Sequence, residues 1–302
     1  MGFIYFFKNI NGCERFLKEL RDEWSKYLKI GEKFNGVEYY LIEEWISSKE
    51  KGANIEWLNS IKVRHIKFLN DLPYSAGVYI SSYGGKYEEI EYLKKEGINF
   101  VENICPWVKL LIRELQKVKN THQCVIMIDE DHMVRKNYDS LIPGDTIIVN
   151  EENFKDMIKN KKNNKPLHFI VYNTFRPIEA ERVKNFIETN YPNVNNIFQL
   201  KTSCGWVTKS GLFEEITDTV VKKKIDEIWI ICGGRLDRST KSIINHIKEL
   251  NVDYQLIREI TDIPSSIQSG RNIGVLKVPV PYHKANEIIE VIKERYSNIL
   301  IE

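Results

Sequence analysis

The sequence lacks an excess of either charge: 44 lysines and arginines stand against 42 aspartates and glutamates, a net charge of +2. That balance builds no field to gather nucleic acid or an anionic membrane surface, so neither is expected as a partner. It lacks any apolar run near the roughly 18 residues that a membrane-spanning helix needs. It lacks a basic leader with a small-residue cleavage site, and MGFIYFFKN reads instead as a first buried strand. No glycine pattern matches a dinucleotide fingerprint or a P-loop. Cysteine is scarce and odd in number, five in all. An odd set does not close into a full disulfide framework. It fits a reducing, cytoplasmic setting in which thiols serve metal or redox chemistry.

What is there is the composition of a folded protein, 42% hydrophobic and 11% aromatic in 302 residues. That length suffices for two or three modest α/β lobes. Apolar runs such as FIYFFK, VEYYLI, GVYISSY, INFVENI, CVIMID, HFIVYN and EIWIICGG read as strands. Between them lie segments with helical spacing, among them the stretch from Arg15 to Leu28, KYEEIEYLKKEG, PWVKLLIRELQ, PIEAERVKNFIETNY, RSTKSIINHIKELN and HKANEIIEVIKERY. Strand–helix alternation of this kind predicts parallel α/β lobes.

Three cysteines repeat one local arrangement. Cys13, Cys105 and Cys204 each follow an extended run, open a helix-like pattern, and sit at two nearly equal separations. A thiol at a helix start meets unpaired N–H groups and the positive end of the helix dipole. Both favour thiolate, and both suit an iron–sulfur cluster that accepts N–H···S bonds. Any one of these cysteines is as readily a small buried hydrophobe; the threefold repeat is what points to a shared metal site. Three thiolates are one short of a structural zinc site. On a four-iron cluster they leave one iron open to a substrate oxygen. Cys124 and Cys232 lie inside apolar strands and read as core.

Over nearly its whole length the chain resembles the LytB-type hydroxymethylbutenyl diphosphate reductases, the iron–sulfur enzymes that end the non-mevalonate isoprenoid route. The resemblance is carried by GINFVENICPWVKLLIRELQ, VYNTFRPIEAERVKNFIETNYPN and DEIWIICGGRLDRSTKSIINHIKEL, in the family's order. It implies an α/β trefoil of three lobes around a central [4Fe–4S] cluster held by Cys13, Cys105 and Cys204. The lobes would be residues 14–104, 105–203 and 204–302, the last joined by the N-terminal strand 1–13. It also implies a small-molecule substrate and a ferredoxin- or flavodoxin-type electron donor.

The departures from the family fall around the substrate. Its two diphosphate-holding histidines fall at Glu43 and Tyr83, and its His-Pro-Glu triplet is replaced by IDEDHMVRKN. There His132, Glu130 or Asp131 stands in for proton delivery, with Thr174 retained. The family's Ser-Ser-Asn cradle appears as Asp237, Arg238 and Ser239, and the loop 278–283 reaches His283. Carboxylates at Glu43 and Asp237 would repel a diphosphate, while Arg238, Arg176 or Arg235 suits a single carboxylate or phosphate. Tyr83 is either a proton donor or a filler of the space the histidine leaves. The glycine pairs at 84–85 and 233–234 read as tight turns before phosphate loops, and the 129–132 acidic run as solvated loop before a metal site.

The expected function is an iron–sulfur reductase-like enzyme. It would remove a hydroxyl from, or eliminate from, a small oxygenated substrate other than the isoprenoid diphosphate. A cluster-bearing redox or oxygen sensor, or an electron carrier, is the alternative. An interaction module on a degenerate fold is a third reading.

Overall fold

The structure is a computed structural model. It describes all residues except 1, 8–17, 19–21, 47–57, 118–120, 130–131, 143, 145, 161–164, 173–174, 193–194, 201–210, 234–237, 279–283 and 302. The chain divides into two compact units, Met1–Glu14 with Gly205–Glu302, and Arg15–Cys204.

Strand β1 (Phe3–Phe6) belongs to the first of these units. The second unit opens with α1 (Trp24–Tyr27), β2 (Tyr39–Ile42), α2 (Glu43–Ile46), β3 (His65–Ile66), β4 (Gly77–Ile80), α3 (Tyr87–Lys95) and β5 (Phe100–Glu102). These strands form a parallel sheet in the order β3-β2-β4-β5. Next come α4 (Pro106–Lys117), β6 (Gln123–Met127), α5 (Met133–Asn137), β7 (Ile147–Val149), α6 (Phe154–Lys159), β8 (Leu167–Val171), α7 (Pro177–Asn190) and β9 (Ile197–Gln199). Here too the sheet is parallel, ordered β7-β6-β8-β9. Strands β4, β6 and β8 are buried at every position, the pattern of parallel strands covered on both faces.

The other unit continues with α8 (Leu212–Lys223), β10 (Glu227–Ile231), α9 (Arg238–Glu249), β11 (Asp253–Ile257), β12 (Ile273–Lys277), α10 (Ala285–Arg295) and β13 (Leu300–Ile301). Its parallel sheet runs β11-β10-β12-β1-β13. The N-terminal strand is thus an interior strand, with Ile4 opposite Ile273 on one side and Ile301 on the other. The fold is α/β with three parallel-sheet lobes.

The first two lobes share a core. Val108, Leu111 and Leu115 of α4 belong to one buried cluster with Ile42, Val78 and Ile80 of the first sheet and Cys124, Ile126 and Ile170 of the second. Helix α4 therefore lies between two sheets. Burying each of those aliphatic side chains contributes about 1.5–3 kcal/mol. Cys124 is fully buried in this core, and Cys232 is fully buried in the core around α8 and α9.

Two glycines let the lobes approach. Gly84 has φ +80, and a Cβ there would collide with the Tyr138 hydroxyl; a Cβ on Gly85 would enter the Trp45 ring. The pair is a close-packing device, consistent with the tight-turn reading. Asn137 at the end of α5 completes the junction. Its amide donates to the carbonyls of Trp45 at 3.0 Å and Tyr83 at 3.5 Å.

Candidate functional site

In open parallel sheets, ligands bind beyond the carboxyl ends of the strands. In the first lobe three adjacent strands end at that edge. Strand β2 runs into Glu43, β4 into Ser81, Ser82 and Tyr83, and β5 into Asn103, Ile104 and Cys105.

Cys105 is buried, and it directly precedes α4, with Pro106 at the first helical position, where a missing N–H costs nothing. Its amide donates to the Ser82 carbonyl at 3.0 Å, and its carbonyl accepts the Lys109 amide at 3.0 Å, the first bond of the helix. Lys109 is ion-paired with Glu102, holding the strand end against the helix start. A thiol so placed faces the positive end of a twelve-residue helix, which favours thiolate and suits a cluster ligand.

Cys105 is therefore the expected cluster ligand whose surroundings are described, and they fit the role. Cys13 and Cys204 lie outside the described residues, as do Glu130, Asp131, Thr174, Asp237 and His283. Among the described residues no three His, Cys, Asp or Glu side chains form a metal-holding group.

Tyr83 is half-buried, with its ring packed against the shared core, which fits the space-filling reading. His132 caps α5: its Nδ1 accepts the Val134 amide at 3.2 Å, so the ring proton lies on Nε2. The ring stacks at a tilt on Tyr172, centroids 4.6 Å apart. Helices α2 and α5 pack together, bringing the helix that begins at Glu43 to the helix after His132.

Two electrostatic expectations change. Glu43 is not an isolated carboxylate: its Oε1 lies 2.6 Å from His65 Nδ1, and His65 Nε2 lies 3.0 Å from Asn59 Oδ1. Arg176 does not stand ready for an anionic ligand. Its Nε donates to Glu179 Oε1 at 3.1 Å, and its amide donates to Glu179 Oε2 at 2.8 Å, with both side chains buried. A buried guanidinium needs such a partner, because desolvated charge is costly unless paired. Sequence reasoning missed His65, Asn137 and Tyr172. For His65 and Asn137 the local sequence holds no signal, since both meet partners far along the chain. Tyr172 ends a strand at the ligand-binding edge, which could have drawn notice.

In the other unit, Arg238 and Ser239 are buried at the start of α9, beyond the carboxyl end of β10. They occupy the same edge of their sheet that Cys105 occupies in the first lobe.

A family model described as LytB protein matches residues 39–293. Curated relatives include the 4-hydroxy-3-methylbut-2-enyl diphosphate reductases of Helicobacter pylori (strain Shi470) and Campylobacter concisus (strain 13826). The first is 20% identical over 76% of this chain and 79% of the relative. The second is 24% identical over 76% and 77%. The solved structure of the E-1-hydroxy-2-methyl-but-2-enyl-4-diphosphate reductase from Plasmodium falciparum matches 100% of this chain and 91% of its own, with TM-score 0.74 and 16% identity. At that identity the likeness is one of fold. No helix among the described residues is long and apolar enough to cross a membrane. With a family model spanning most of its length, the chain belongs to the LytB family.

Proposed function

We propose that the chain is a LytB-family iron–sulfur reductase in which Cys13, Cys105 and Cys204 hold a [4Fe–4S] cluster. Its substrate is a small oxygenated molecule other than the diphosphate for which its relatives are named. The observation that carries this reading is Cys105: a buried thiol at a helix start, its amide tied to Ser82, on the ligand-binding edge of a parallel sheet. When bound, a cluster held by three thiolates supplies electrons and one Lewis-acidic iron.

The chain's own residues do the rest. His132 presents Nε2–H as a hydrogen-bond donor and is the first candidate for proton delivery, which would require Nδ1 to take up a proton as Nε2 gives one; Tyr172 and the Val134 amide hold its ring. Glu130 is the second candidate for that step, Tyr83 the third, and Thr174 orients the substrate. Arg238 and Ser239, with Asp237 and His283, form the proposed substrate contacts of the third lobe. A ferredoxin or flavodoxin delivers electrons. The lobes are bounded as residues 14–104, 105–203 and 204–302, with strand 1–13 added to the last.

Anaerobic purification with iron and sulfide analysis tests the reading. About four irons per chain are expected from the cluster type, and Cys105→Ser is expected to lose them. Absence of iron after anaerobic reconstitution overturns the proposal. Titration of the reduced protein with small alcohols, carboxylic acids and phosphates should perturb the cluster spectrum for at least one class. A spectrum that none of them moves replaces the reductase with an electron carrier or sensor.

A further inference from the structure

Glu43 and His65 form a pair that neither the cluster nor the proton donors account for. Leu41 of β2 lies opposite His65 of β3 in the sheet register, so the residue two places beyond Leu41 reaches back over the short edge strand. Glu43 Oε1 and His65 Nδ1 are 2.6 Å apart, with side chains only 17% and 14% exposed. The other ring nitrogen faces Asn59 Oδ1 at 3.0 Å. The carboxylate oxygen is the acceptor in the first of these contacts, so Nδ1 is its donor. The second carboxylate oxygen, Glu43 Oε2, makes no hydrogen bond or ion pair with any described residue. Strands β2, β4 and β5 are consecutive in the sheet, so Glu43 stands about 10 Å across the edge from the strand that leads to Cys105.

We infer that His65 is a positioning residue that fixes Glu43 as an ionised acceptor, so that Oε2 selects a ligand bearing a hydroxyl or another neutral donor and rejects a phosphate there. The inference rests on the proposed reading that this edge faces the substrate. The means is the carboxylate's charge together with donor–acceptor mismatch: a phosphate oxygen that has lost its proton is an acceptor, and so is Oε2, leaving two like-charged acceptors face to face. A hydroxyl offers the missing donor, and its hydrogen bond to a carboxylate is of the stronger, charge-assisted kind.

The test uses the full chain labelled with nitrogen-15 in histidine. His65, identified by the signal lost in His65→Gln, is expected to hold its Nδ1 proton in the hydrogen bond to Glu43. In Glu43→Gln the Nδ1 signal is expected to shift as that charge-assisted bond is lost. Glu43→Asp, which withdraws the carboxylate by one methylene, should do the same to the ring. Calorimetric titration with inorganic diphosphate is the second arm. Glu43→Gln, which gains an N–H donor, should bind it at least about tenfold more tightly than the unaltered chain or Glu43→Asp. A His65 ring unchanged by both substitutions overturns the pair, and equal diphosphate affinity across the three proteins overturns the selection. Iron content of the same samples reads the cluster proposal separately, so a chain without iron can still pass or fail here.

Discussion

The Cys105 amide donates to the Ser82 carbonyl at 3.0 Å, joining the start of α4 to the loop that follows β4. The thiol's position is thereby tied to the loop carrying Tyr83, Gly84 and Gly85. That loop is tied in turn to the second lobe through Asn137 and Tyr138. Cys105 sits at the end of a helix clamped between two sheets, so packing far from the thiol bears on where the thiol stands.

Leu111 is the test of that clamp. It is 2% exposed at the middle of α4, in the core shared by both sheets. Leu111→Ala is expected to cost about 2–5 kcal/mol through lost burial and a cavity that two flanking sheets cannot close. Urea denaturation should show the loss as a lowered midpoint with an unchanged slope. A midpoint equal to that of the unaltered protein would contradict the shared core.

The glycine pair makes a second prediction. Gly85→Ala forces a methyl into the Trp45 ring, and Gly84→Ala adds a collision with the Tyr138 hydroxyl to a backbone at φ +80. Each is expected to destabilise by about 1–3 kcal/mol through overpacking. Gly97, at φ +65 with nothing near its missing Cβ, isolates the backbone part. Gly97→Ala should cost only about 1–2 kcal/mol, and less than Gly84→Ala. Thermal unfolding of the three variants side by side checks the ranking.

His168 predicts an acid limb. It is buried in β8, with Glu114 of α4 3.5 Å from its Nε2. Burial lowers its pKa; Glu114 opposes that shift, while His122 and Lys117 reinforce it. The folded state thus holds a neutral ring where the unfolded chain takes up a proton, and a depressed folded value gives stability that is present above the unfolded pKa. That contribution is lost as pH falls from the unfolded value of about 6.5 through the lower folded one. Denaturation midpoints measured across this window should fall with pH for the unaltered protein. In His168→Gln the slope should flatten. An identical slope in both would show that another group sets the acid limb.

Much of the fold was legible. The apolar runs that became β4, β6, β8 and β10 are continuous, as strands covered on both faces must be, and the segments between them carry helical spacing with glycine stops. The start of α4 was legible for a local reason, since a strand end, a cysteine and a proline stand side by side in the chain. The resemblance that the same stretch carries led to the family that the comparisons show. The charges of the site were not legible. Glu43 read alone is a bare carboxylate, and Arg176 read alone is an open cation. Both impressions fail because their partners, His65 and Glu179, are chosen by tertiary distance in one case and by a buried helix start in the other.

By itself, then, the sequence determined the order of strands and helices, the cysteine at the head of α4 and the likeness to one family. Each is a matter of local propensity or of residues adjacent along the chain. Tertiary structure alone decided that β1 lies between β12 and β13, that α4 is shared by two sheets, and that Glu43 faces an imidazole. Those are contacts between segments tens of residues apart. Hydrophobic burial is non-directional, and a side chain's charge acts through whatever packing brings beside it, so neither carries a mark in the sequence of the partner it will meet.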